Sequence, residues 1–153
     1  MTEERAIAAA DTLGLRYAVT RHGPVRSLEE AASARGLTPS QVIKTLVVRL
    51  SDDDYRFVLV PGGREISWPK LRSELRVSRI SMPPADVALA VTGYERGTIT
   101  PLGSTTAWPV IADASLTGVV SIGGGAHGVA LSVDALDLIR ALDATVADVT
   151  DRA

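Results

Sequence analysis

The sequence predicts an α+β fold in which helices surround a mixed or antiparallel central sheet. Two observations carry this expectation. Apolar, β-branched runs cluster in the middle and late parts of the chain instead of alternating strictly with helical segments. Helix-capping signatures recur between those runs. The 153 residues are 46% hydrophobic and only 4% aromatic, enough for one aliphatic core, so a single domain over residues 1–153 is expected.

In chain order, "TEERAIAAADTLGL" predicts a first helix, capped by Thr2 and stopped near Gly14, and "RYAVTRH" a strand. "SLEEAASARG" carries a capping box, Ser27 with Glu30, and Gly36 as a stop. "TPSQVIK" repeats the pattern with Thr38, Pro39 and Gln41, predicting another helix start. "KTLVVRL" and "YRFVLVP" are strand-forming runs whose "SDDD" connection predicts a hairpin. "SWPKLRSELR" predicts a helix from about Ser67, "VSRISM" a short strand, and "PPADVALAVTG" a helix entered through its prolines. "WPVIAD", "GVVSIGGG" and "GVALSV" follow as strands. "SVDALDLIRALDA" closes the chain as an amphipathic helix with Leu136, Ile139 and Leu142 on its apolar face.

The formal net charge of −2 excludes a general polycation, so DNA is not an expected partner and any RNA contact is local. With no cysteine there are no disulfides, thiol nucleophiles or thiolate metal sites. "MTEERAIAAA" lacks the basic-then-apolar order of a signal peptide. No apolar run approaches the roughly 20 residues of a membrane span. A cytoplasmic protein is expected. His22 and His127 are the only histidines and neither has metal-ligand spacing, so neither a metal nor a cofactor is expected. No serine sits in a G-x-S-x-G elbow.

Four stretches stand out against this background. In "VIKTLVV", Lys44 enters an apolar strand. That costs desolvation unless the ammonium meets an anion or a cavity, or snorkels to the rim; the spacing fits either arrangement. "TGYERGTITPLG" spans residues 92–103, "SIGGGAHG" residues 121–128 and "RHGP" residues 21–24. Taken singly, "GGGAHG" fits a bulge or tight hairpin as well as a phosphate cradle. His22 and His127 fit turn and hairpin-tip positions. From Arg64 to Arg79 the basic residues Arg64, Lys70, Arg72, Arg76 and Arg79 outnumber the acids Glu65 and Glu74. Arg72 and Arg76, four apart, predict a shared helix face that is either solvated or in contact with phosphate.

Together, "VIKTLVV", "VPGGREISWPKL", "TGYERGTITPLG", "PVIAD" and "SIGGGAHG" resemble the YbaK/ProX aminoacyl-tRNA deacylase family in order and spacing. This trans-editing family is related to the insertion domain of bacterial prolyl-tRNA synthetases. The likeness runs from about His22 to Leu138. It implies a partly barrel-like central sheet and hydrolysis of an amino acid wrongly esterified to the 3′ end of a tRNA, often tRNA-Pro. Lys44 matches a lysine needed for activity. Gly97, Thr98, Ile99, Thr100, Pro101 and Gly103 match the loop that shapes the amino-acid pocket, with Gly97 as a backbone donor. Ser121, Gly123 and His127 match another wall, and Thr20, His22 and Thr45 complete the implied substrate-binding set. The resemblance makes Arg64, Lys70, Arg72 and Arg76 candidate RNA contacts, and a prolyl-tRNA synthetase a candidate partner.

The chain departs from Cys-specific relatives at three places. Ala130 replaces an acidic residue, Thr20 an aromatic one, and Thr98 a second glycine. These differences favour alanine, serine or threonine over cysteine as the amino acid removed.

Overall fold

The computed structural model describes residues 2–153. Helix α1 (Thr2–Thr12) opens the chain and buries Ala6 and Ala10, one turn apart on a single face. Strand β1 (Ala18–Arg21) leads to α2 (Leu28–Ala34). The Glu30 N–H donates to Ser27 Oγ at 3.1 Å, but the Glu30 carboxylate accepts from Arg26 N at 3.4 Å, so the predicted box closes one residue early.

The helix expected over "TPSQVIK" is one 3-10 turn, Pro39–Gln41, in which Gln41 Oε1 accepts from Thr38 N at 2.9 Å. The β-branched pair Val42–Ile43 then favours extended backbone, and β2 (Ile43–Ser51) begins at once. Its hairpin partner is β3 (Asp54–Pro61), followed by β4 (Arg64–Ile66) and α3 (Trp68–Leu75), capped by Ser67. The strand expected over "VSRISM" reduces to one antiparallel bridge between Ser81 and Arg49. Its polar side chains bury nothing, and Pro83–Pro84 stop any extension.

Helix α4 (Ala85–Thr92), β5 (Val110–Asp113), β6 (Val119–Gly123), β7 (Val129–Asp134) and α5 (Ala135–Ala141) follow as expected. In α5, however, Leu136 is exposed and the buried positions are Ala135 and Leu138, with Ile139 and Leu142 packed at the core edge. Nor is α5 the last element. Two three-residue strands follow, β8 (Thr145–Ala147) and β9 (Thr150–Arg152), too short for any periodicity to reveal.

The strands form three sheets: β1-β7-β6, wholly antiparallel; β2-β3-β5-β8, mixed; and the pair β4-β9. A parallel bridge between Val42 and Ser121 seams the first to the second. The sheets do not close into a barrel. Strand β3 is buried on both faces, which explains its unbroken apolar run. Tyr55, Phe57 and Leu59 enter the larger core with Ala6, Leu102, Ile122, Leu131 and Leu138. Val58 and Val60 enter a smaller core under α3 with Ile66, Leu71 and Val149. No described helix is long and apolar enough to cross a membrane.

Candidate functional site

The main cleft opens along the free edge of β2. Arg49 exchanges both main-chain hydrogen bonds with Ser81, at 2.8 and 3.0 Å. By the alternation of an antiparallel ladder, Thr45 and Val47 therefore direct their N–H and C=O groups away from β3 as well. No strand among the described residues pairs with them between the Val42–Ser121 bridge and the Arg49–Ser81 bridge. A cleft of about 820 Å³ fills this gap. Its apolar wall includes Leu28, Met82, Pro83, Pro84, Ala85 and Ala88.

Lys44 lines the cleft and is exposed; its main chain pairs with Val60 on β3, but its ammonium has no hydrogen bond or ion pair to any described residue. Both readings of its position converge, because the rim it reaches is the rim of a cavity. Thr45 lines the same wall, and its Oγ1 is buried without a hydrogen-bond partner among the described residues. Such a hydroxyl forgoes the interaction that normally offsets its desolvation.

The loop "GTITPLG" divides between cleft and scaffold. Gly97 and Ile99 line the cleft, and Gly97 holds φ +89°, which a side chain would strain. Thr98 turns away: its N–H and its Oγ1 both donate to Glu95 O, at 3.0 and 2.8 Å. Thr100 is buried and its Oγ1 accepts from Leu102 N at 3.3 Å. Pro101 and Gly103 stand off the cleft, and Gly103 O accepts from Arg5 Nε at 2.9 Å. A Cβ at Gly103 would lie 2.6 Å from Arg5 O, so this position serves the packing of α1.

Gly123 lines the wall facing Ile99. His127 is exposed beyond Gly97: its Cε1 lies 3.1 Å from a Cβ built there, and its Nε2 lies 3.2 Å from Glu95 Oε1. Thr20 sits half-buried on β1 opposite Ala130, off the cleft wall. His22 and Ser121 are also off the wall, but both contact one residue on it, Arg35.

Arg35 and Arg96 line the cleft and were not among the expected site residues. Arg35 ends α2, where a cation reads as an ordinary complement to the helix C-terminus. Arg96 lies inside "TGYERGTITPLG", beside the glycine that drew attention. Arg35 Nε donates to His22 Nε2 at 3.3 Å, and Nη1 donates to Ser121 Oγ at 3.2 Å. In the first bond His22 Nε2 accepts, which leaves Nδ1 to donate to Gly23 O at 2.8 Å. Burial lowers the Arg35 pKa below the usual arginine value. The cleft therefore carries three cations, Lys44, Arg35 and Arg96, and no carboxylate.

The basic cluster on β4 and α3 lies elsewhere. Arg64 donates to Thr150 Oγ1 at 2.6 Å and lies 3.8 Å from the buried carboxylate of Asp113. Burial alone would raise the Asp113 pKa. Donation from Ser115 and from the Val149 N–H more than offsets this and holds it below the ordinary range. Lys70 is paired with Asp148 at 3.1 Å and Asp151 at 2.9 Å. Arg72 lines a separate groove by the β2–β3 turn, and Arg76 is the left-handed cap of α3, so the two do not continue one helical face. None of the four lines the Lys44 cleft. No group of three or more His, Cys, Asp or Glu side chains suited to a metal occurs among the described residues.

An acid-free cationic cleft on the open edge of a mixed sheet defines a small α+β domain suited to an anionic ligand. The chain belongs to the aminoacyl-tRNA editing domain family, whose profile matches residues 22–141. It is 32% identical over 102 residues to the proline–tRNA ligase of Citrifermentans bemidjiense, which is 67% of this chain and 18% of the ligase. Against the proline–tRNA ligase of Bacillus licheniformis it is 26% identical over 128 residues, 83% of this chain and 22% of the ligase. The chain thus spans about a fifth of the length of these curated relatives. Its fold is similar to the crystal structure of a candidate trans-editing enzyme for prolyl tRNA synthetase. That match has a TM-score of 0.88 and 23% identity, and covers 98% of this chain and 97% of the other.

Proposed function

We propose that this chain hydrolyses the ester of a small amino acid wrongly attached to the 3′ end of a tRNA. Alanine, serine, threonine or cysteine is the amino acid and tRNA-Pro the carrier. The observation that carries the reading is the cleft itself, with three cations, no acid, and Lys44 and Gly97 on its wall. In a chain of net charge −2, this local concentration of positive charge favours the phosphates of a single-stranded RNA end. At about 820 Å³ the cleft is of a size for a nucleoside and a small amino acid, and its Met82–Pro84 wall offers apolar surface to a base.

In the reaction, water attacks the ester carbonyl carbon and its oxygen gains negative charge. The bond to the ribose oxygen then breaks and a proton from the attacking water passes to that oxygen, freeing the amino acid and restoring the ribose hydroxyl. Lys44 and the main chain at Gly97, both on the cleft wall, are the donors to that charge in this reading, and such donors act most strongly where water is excluded. An aminoacyl ester is already activated, so positioning and charge stabilisation supply much of the acceleration. A second sieve of this kind is needed because a synthetase pocket discriminates weakly between similar small side chains.

The reading extends to a prolyl-tRNA synthetase that delivers the tRNA, and to the cytoplasm as the place of action. One observation favours a second reading, a module that holds a tRNA 3′ end or a synthetase without cleaving the ester: no imidazole or carboxylate lines the cleft. A deacylation panel of alanine, cysteine, serine and threonine on tRNA-Pro, then on their cognate tRNAs, separates the two. Release from mischarged tRNA-Pro supports hydrolysis. Salt-dependent tRNA binding with no release from any substrate supports the holding module.

A further inference from the structure

Three other part-buried arginines, Arg5, Arg56 and Arg64, are neutralised or saturated. Arg5 donates to Gly103 O and Gly93 O and lies 4.4 Å over the Tyr94 ring; Arg56 pairs with Asp54, and Arg64 with Asp113 and Thr150. Arg35 differs. Its guanidinium is part-buried, yet its two acceptors, the His22 ring nitrogen and the Ser121 hydroxyl, are neutral, and no carboxylate pairs with it among the described residues. A guanidinium has five N–H donors in a planar fork, so three remain after these two bonds. Arg35 lines the cleft that Lys44 and Arg96 also line. Partly removing a cation from water without an anion among the described residues costs free energy that these two hydrogen bonds offset only in part.

We infer that Arg35 binds a phosphate of the RNA 3′ end, with His22 and Ser121 as positioning residues that aim its free N–H groups into the cleft. The inference rests on the proposed editing function and adds a recognition residue to it. Ser121, fully buried on β6, fixes one arm of the fork, and His22 Nε2 fixes the Nε–H. What is left is the geometry that arginine uses to grip phosphate bidentately, which a lysine cannot reproduce.

The test measures binding of an RNA oligonucleotide ending in CCA-3′ to the full chain by fluorescence anisotropy across a salt series. Arg35→Gln is expected to weaken Kd about tenfold and to flatten the log–log salt slope by about 0.7, the share of one single-strand phosphate contact. On mischarged tRNA-Pro the loss is expected in KM more than in kcat. An unchanged Kd and slope would overturn the inference. So would Arg35-dependent binding of inorganic phosphate alongside oligonucleotide binding that ignores Arg35. Should Arg35→Gln fail to fold, the Arg35 Nε–H resonance of the wild-type protein serves instead: it is expected to shift on adding oligonucleotide, and an unmoved resonance overturns the inference. Absence of deacylation in the wild type would remove the editing function while leaving the phosphate measurement valid. Unchanged binding in the variant would do the reverse.

Discussion

Replacing each glycine that brackets "GTITPLG" by alanine separates scaffold from site within one loop. At Gly103 a Cβ would lie 2.6 Å from Arg5 O, 2.8 Å from Arg5 C and 2.9 Å from Tyr94 Oη, at φ +72°. The left-handed backbone alone costs a side chain about 1–2 kcal/mol. The clash falls on the backbone of α1, so the helix must shift. That shift loosens the bond from Arg5 Nε to Gly103 O and the Tyr94 Oη bond to Leu102 O, at about 1 kcal/mol each. Gly103→Ala is therefore expected to lose about 3–4 kcal/mol, or roughly 6–16 °C in Tm for a chain of this size. At Gly97 the new Cβ meets only the exposed His127 ring at 3.1 Å, which can move. Gly97→Ala keeps the backbone strain alone, about 1–2 kcal/mol, yet places a methyl group at the cleft wall. Thermal and urea unfolding followed by circular dichroism, with deacylation of mischarged tRNA-Pro, reads both. A Gly103→Ala protein melting within 2 °C of wild type, or a Gly97→Ala protein less stable than Gly103→Ala, would refute the division.

Thr45→Val removes a buried hydroxyl that has no partner among the described residues, so stability is expected to hold or rise by up to about 1 kcal/mol while deacylation falls; a drop in Tm would mean that the hydroxyl is bonded in solution. Asp113, 2% exposed, has its pKa lowered on folding, so it binds fewer protons folded than unfolded. Its contribution is thus complete above about pH 4 and is lost as pH falls through the lower folded value. Asp113→Asn is expected to cost about 1–3 kcal/mol at neutral pH, with the gap to wild type narrowing below pH 4 in urea titrations; a gap independent of pH would contradict this.

Much of the architecture was legible because burial imposes periodicity. The β2–β3 hairpin and the capped helices at Ser27 and Ser67 lie where alternation and capping residues placed them. Tertiary pairing hid the rest. Strands β8 and β9 are three residues each and exist because β5 and β4 offer edges to them. Within the site, Lys44, Gly97 and Ile99 were legible as motif residues and do line the cleft. Thr98 and Thr100 show why a motif overstates its wall: alternate side chains in a tight loop must point inward, and these two satisfy the loop's own main chain. Arg35 was invisible because the residues that mark it, His22 and Ser121, are 13 and 86 positions away. The cluster around Arg64 and Lys70 looked free in one dimension because the acids that pair with it lie on β5 and in the last six residues.

The most direct test of the account is the rate of amino-acid release from mischarged tRNA-Pro by wild-type protein and Lys44→Ala. The Lys44 side chain is exposed and its ammonium has no partner among the described residues, so the variant is expected to melt within about 2 °C of wild type. Its kcat/KM should fall by about 10²–10³, the loss typical of removing one charge-stabilising donor. Equal turnover by the two proteins would contradict the central claim that the cationic cleft at the open edge of β2 is where the ester is cleaved.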